Sequence, residues 1–175
     1  CCDPVIGDVG RGVFVRPGIP EFFRDQVVPT ADIVTPNQFE LDYLSERTSE
    51  TLAAAKDAAA VVQRLGPRVV LVTSLHTRET PPDAIDLLAG EGGRFWRVRT
   101  PKLPLSVNGA GDAIAALFFV HYARTRSAAG ALGEAAASIF GLLKRTAEAG
   151  SREILMVAAQ DEFVSPSTRF AVEVV

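Results

Sequence analysis

The chain has 175 residues, 47% of them hydrophobic and 22% charged. That is enough for one ordinary domain with a real core, and it excludes an intrinsically disordered chain. A net charge of −3, scattered Lys and Arg with no basic stripe, and a pI near 5.4 argue against a nucleic-acid or anionic-membrane surface.

Cys1 and Cys2 are adjacent, so they cannot staple a fold in the usual way, which suits a reducing, cytoplasmic setting. No apolar stretch reaches the roughly 20 residues that span a bilayer. In chain order, CDPVIGD at 2–8 reads as turn chemistry, since Asp-Pro and Gly-Asp are turn dipeptides. ADIVTP at 31–36 predicts a short strand ended by Pro36, and 37–47 a helix. The stretch 51–66 predicts a helix with Leu52, Ala55, Ala59 and Val62 on one face and Gly66 as its stop. RVVLVTS at 68–74 is a β-branched run, as expected of a strand buried on both faces. Residues 84–90 and 94–100 predict an antiparallel hairpin. Helices follow over about 110–125 and 128–149, the second with Leu132, Ala136, Ile139 and Leu143 aligned and Gly150 beyond its end. The tail carries a short apolar element near 153–160 and an edge strand, RFAVEVV. This order predicts an α/β domain over 1–175 with a mostly parallel sheet, whose ligands bind beyond the carboxyl ends of the strands.

Four places carry residue types suited to chemistry. Asp3 and Asp8 flank a Pro and a Gly, and a plain turn explains them equally. Asn37 and Glu40 in TPNQFE, after Thr35, have the spacing of a capping box, which alone accounts for both. Thr73 and Ser74 end the buried strand, where local hydrogen bonding is the ordinary use of hydroxyls. Finally, SVNGAGDAIAALFF at 106–119 places Gly109, Ala110 and Gly111 at the start of an apolar helix, with Asp112 one residue further on. Glycines permit close approach of an anion to the free amides and positive end of the helix. A carboxylate beside such a hole makes sense as a base for an attacking hydroxyl. A turn followed by an Asp cap is the alternative. His76 and His121 lack partners at metal spacing, and neither a P-loop nor a G-x-G-x-x-G segment is present.

Together these stretches resemble the ribokinase-like superfamily, with its three-layer sandwich, and within it the pyridoxal kinases. NGAGD at 108–112 is similar to the superfamily's Gly-x-Gly-Asp signature. CDPVIGD, the run 12–44 and VAAQDEFVSP near the end are similar to the bacterial pyridoxal kinase pattern. The resemblance implies ATP-dependent phosphorylation of the 5′-hydroxymethyl group of pyridoxal, pyridoxine or pyridoxamine, with Asp112 as catalytic base. Gly109, Ala110 and Gly111 would hold the transferring phosphate. Asp8 would help hold Mg²⁺, and Asp3, Thr35, Glu40 and Thr73 would surround K⁺. Asn37, Glu40, Thr73 and Ser74 would face the nucleotide, and Leu103, Pro104 and Leu105 would line the adenine pocket. The chain departs from several family members in having Ala110 where they have Thr. The family's N-terminal substrate-binding segment does not precede CDPV, so the resemblance implies the C-terminal, nucleotide-binding part of a kinase. Its sheet would be incomplete at the N-terminal side, the isolated fragment inactive and the complete enzyme a homodimer. A hydroxymethylpyrimidine kinase and a catalytically silent nucleotide-binding fragment are the competing readings.

Overall fold

The computed structural model describes residues 1–105 and 107–175; Ser106, which opens the stretch at 106–119, lies outside them. The first segment forms a two-residue hairpin, β1 (Gly7–Asp8) with β2 (Gly12–Val13), where a turn was expected. A short helix α1 (Ile19–Phe22) runs into a π-helical turn, Phe23–Val27, and a 3₁₀ turn, Val28–Thr30.

Next come β3 (Ile33–Val34), α2 (Gln38–Ser45), α3 (Leu52–Leu65) and β4 (Val69–Leu75). The hairpin β5 (Ala84–Glu91) and β6 (Arg94–Pro101) follows, then α4 (Ala110–Thr125), α5 (Ala128–Glu148) and β7 (Glu173–Val174). The expected helices therefore form within two residues of their predicted bounds. Thr51 caps α3 by accepting from the amide of Ala54, and Ser127 caps α5 through Gly130. The tail departs from expectation. Of the expected edge strand RFAVEVV only Glu173–Val174 pairs with β6, while the apolar element near 153–160 forms bends and turns that lead into a 3₁₀ turn at Gln160–Phe163.

The strands form one five-stranded sheet in the order β3-β4-β5-β6-β7. The α/β class holds, but the mostly parallel sheet is corrected: among the described residues only β3 and β4 pair in parallel in this sheet, and the other three pairs are antiparallel. Connection length decides this. A parallel neighbour needs a crossover of a dozen or more residues, which α2 and α3 supply between β3 and β4. The Gly92-Gly93 turn between β5 and β6, with φ of 57° and 75°, permits only a reversal. Outside β3, Cys2 joins as an isolated parallel bridge to Val34, and no further strand pairs beyond it among the described residues.

Both faces of the sheet are covered. Val69, Leu71, Leu87 and Val98 pack under Phe118, Leu132, Ala136 and Leu142 of α4 and α5. Val70, Val72 and Leu88 pack on Leu41, Leu44, Ala55, Ala59 and Val62 of α2 and α3. This gives three layers, and it explains why β4 reads as an unbroken apolar run.

Candidate active site

The carboxyl ends of β3, β4 and β6 open on the same edge of the sheet, and the start of α4 lies over them. Between them is a cavity of about 860 Å³. Asp8, Thr73, Ser74, Leu103, Leu105, Ala110 and Gly111 line it, so residues far apart in sequence converge as the strand-end argument expects. Pro104, Gly109, Asp112, Asn37, Glu40, Asp3 and Thr35 are not on its lining.

Helix α4 begins at Gly109, whose φ of 87° is left-handed and favours glycine. Among the described residues, no side chain caps this end, and the first-turn amides of a helix have no intrahelical partner. A side chain at Gly111 would meet nothing within 4 Å. Asp112 stands in the first turn, exposed. Its carboxylate is close enough to Asp3 that its charge raises the proton affinity of Asp3, which burial has already raised. Thr35 donates to Asp3 Oδ1 at 3.0 Å and opposes that rise.

Glu40 is held by backbone amides. Its Oε1 accepts from the amides of Ile6 at 2.9 Å and Gly7 at 3.5 Å, and its Oε2 from the amide of Asn37 at 2.9 Å. Asn37 is equally engaged: Oδ1 accepts from the amide of Glu40, and Nδ2 donates 2.8 Å to the carbonyl of Gly7. The capping box is therefore complete. The same two side chains also fasten the hairpin that carries Asp8 into the cavity. Among the described residues, no three His, Cys, Asp or Glu side chains form a group able to hold a metal ion. Each carboxylate has its own place: Asp3 with Thr35, Glu40 on backbone amides, Asp8 at the cavity wall.

Burial pushes the Glu40 carboxyl up to about 7, with the charge of Asp3 adding to the rise and the three amides opposing it. A carboxyl that binds its proton more tightly folded than unfolded stabilises the fold fully below its ordinary value near 4.5. That contribution is lost as pH rises through about 7. Its size is on the order of 3 kcal/mol. Glu40→Gln is expected to flatten this part of the stability profile, and to lower stability at every pH because an amide nitrogen cannot accept from Asn37. Thermal melts of both proteins at pH 5 and pH 7.5 check this, and an unchanged difference between the two pH values would contradict it.

Several cavity residues carried no sequence signal. Gln38 clamps the end of β4: Oε1 accepts from the amide of His76 at 2.9 Å, and Nε2 donates to the carbonyls of His76 and Ser49, each at 3.1 Å. Ser74 has φ of 51°, a strained left-handed conformation for a non-glycine residue, where the β4–β5 register shifts. His76 lines the cavity, and burial followed by the Lys102 charge lowers its proton affinity. Ile139, Phe140 and Leu143 of α5 form an apolar wall. Their helical spacing was legible, but it read as core. The cavity thus has a polar end of free amides and hydroxyls and an apolar end, as a phosphorylated ligand with a flat base requires.

A family model described as phosphomethylpyrimidine kinase matches residues 1–156. Pyridoxal kinase PdxY of Granulibacter bethesdensis is 60% identical over 99% of this chain, and that of Rubrobacter xylanophilus is 53% identical over 98%. The chain spans 62% and 60% of the length of these two proteins. A structure of pyridoxal kinase from Leishmania donovani, in complex with ADP and pyridoxine, superposes with a TM-score of 0.89 at 28% identity, covering 99% of this chain and 61% of that one. The same enzyme in complex with ADP and pyridoxamine gives a TM-score of 0.88. These matches support the ribokinase-like α/β architecture. Among the described residues, no helix is long and apolar enough to cross a membrane.

Proposed function

The chain belongs to the phosphomethylpyrimidine kinase family, and from that premise we propose that it forms the nucleotide-binding and phosphoryl-transfer part of an ATP-dependent kinase for the 5′-hydroxymethyl group of pyridoxal and its relatives. One observation carries the reading. The start of α4 lines the polar end of a cavity with an apolar wall through Ala110 and Gly111, and its first turn carries an exposed carboxylate, Asp112.

Asp112 takes the proton of the substrate hydroxyl as its oxygen bonds to the γ-phosphorus. The bond from that phosphorus to the bridging oxygen breaks, and ADP leaves with the electron pair. The amides of Gly109, Ala110 and Gly111 hold the transferring group. Thr73 and Ser74 face the phosphates, and Leu103, Pro104 and Leu105 border the base. Glu40 and Asn37 act by positioning, since their polar atoms are already engaged.

Asp8 suits Mg²⁺, which binds through one or two carboxylates plus substrate phosphates and needs no protein cage. When bound there, it would neutralise charge on the phosphates. Asp3 and Thr35 supply the hard oxygens a K⁺ site prefers. Activity is accordingly expected to require Mg²⁺ and to respond to K⁺. Glu40→Gln separates two uses of its residue: lower thermal stability with an unchanged K⁺ response assigns Glu40 wholly to the capping box.

The 60% and 53% identities to pyridoxal kinases support pyridoxal over the hydroxymethylpyrimidine that the family description suggests. Incubating the protein that carries this chain with ATP and Mg²⁺, and adding pyridoxal or hydroxymethylpyrimidine, decides between them by ADP release. Pyridoxal-dependent ADP release is the expected result. Release only with hydroxymethylpyrimidine, or with neither, overturns the reading.

A further inference from the structure

The last nineteen residues, 157–175, lie beyond the stretch that the family model matches, yet they are fastened along α5. Arg145 pairs with Asp161 and donates to the carbonyl of Ala158 at 3.2 Å. The buried Glu162 lies against Gly141, in space a Cβ would fill, and accepts from the amide of Ser167 at 2.8 Å. Phe170 meets Phe140 edge to face, with ring centroids 5.0 Å apart and planes at 82°. Arg169 pairs with Glu134.

Phe140 is the residue that joins this tail to the cavity. It is 9% exposed and lines the apolar wall with Ile139 and Leu143. The wall is the part of the cavity suited to a nucleobase, and one ring of it rests on the tail.

We propose that Phe170 is a positioning residue for nucleotide binding, holding Phe140 in place at the apolar end of the cavity. The proposal rests on the reading of that cavity as a nucleotide site. An edge-to-face pair fixes ring orientation as well as burying area. Without Phe170, the Phe140 ring gains freedom that must be lost again when a base binds. Phe170 is not itself on the cavity lining and reaches it through Phe140, so the effect falls on affinity and not on the chemical step.

In the protein that carries this chain, Phe170→Ala is expected to raise the KM for ATP and the dissociation constant of ADP by about three- to tenfold. The kcat is expected to fall by less than about twofold, and the KM for pyridoxal to stay unchanged. Phe170→Tyr is expected to restore ADP affinity. Arg169→Ala, which removes an exposed ion pair in the same tail, is expected to leave both constants unchanged. If Phe170→Ala does not fold, Phe170→Leu and Gly141→Ala, which displaces Glu162, give the same readout by calorimetry with ADP. Unchanged ADP affinity in a folded Phe170→Ala or Phe170→Leu protein overturns the proposal, as does a fall in kcat without a change in affinity. A wild-type protein that binds ADP but phosphorylates no pyridoxal overturns only the substrate assignment, and Phe170→Ala still tests the tail. A wild-type protein that binds no ADP overturns both.

Discussion

Asp112→Asn is expected to lower the kcat of the protein that carries this chain by about 10²–10⁴-fold, the usual cost of losing a general base. Affinity for ADP should hold or improve slightly. The reason is local. Asp112 is in the first turn of a helix that no side chain caps, and it is exposed. Asn is nearly isosteric and leaves the helix start intact, but it cannot take a proton from the substrate hydroxyl. Removing a negative charge beside the phosphate site also removes repulsion toward the nucleotide. Turnover with ATP and pyridoxal, measured beside ADP binding by calorimetry, separates these effects. Near-normal turnover would leave Asp112 as a first-turn acid that only the positive end of the helix favours.

Asp86→Ala carries the largest expected cost to stability. Its carboxylate is buried and receives Arg99 Nε and Nη2, each at 2.7 Å, and the Thr80 hydroxyl at 2.8 Å. Arg99 Nη2 also donates 3.1 Å to the carbonyl of Glu79. This network closes the 76–83 connection that brings His76 to the cavity. Removing one partner of a buried pair costs about 3–5 kcal/mol. The lower end applies here, because the Arg99 side chain is 31% exposed and regains some water. A drop in melting temperature of about 6–12 °C follows. A drop of one or two degrees would show that the pair is effectively solvated. Asp86→Leu combined with Arg99→Met is expected to recover part of the loss, since it strands no charge.

How far the sequence reached depended on the range of the forces involved. The helices α2 to α5 and the β5–β6 hairpin were legible because their causes are local: apolar spacing, Thr51 and Ser127 at the caps, Gly92-Gly93 at the turn. The start of α4 was legible for the same reason, since a helix start and its glycines are contiguous in the chain. The hairpin of Gly7–Asp8 with Gly12–Val13 escaped notice because it is two residues long on each side. What fastens it is Asn37 and Glu40, some thirty positions away.

The sequence by itself determined the element types, the apolar faces, and the presence of Asp112 beside free helix amides. Each follows from the conformational preferences and spacing of neighbouring residues. Tertiary structure alone decided the antiparallel pairing of β4 with β5 and the bonds that carry Glu40 and Asn37 beyond their capping box to Ile6 and Gly7. It also decided that Phe140 faces a cavity and leans on Phe170. These depend on which groups meet across the sheet and which polar atoms find partners there. A buried carboxylate takes the amides that the fold brings within reach, and no local pattern encodes where those amides will be.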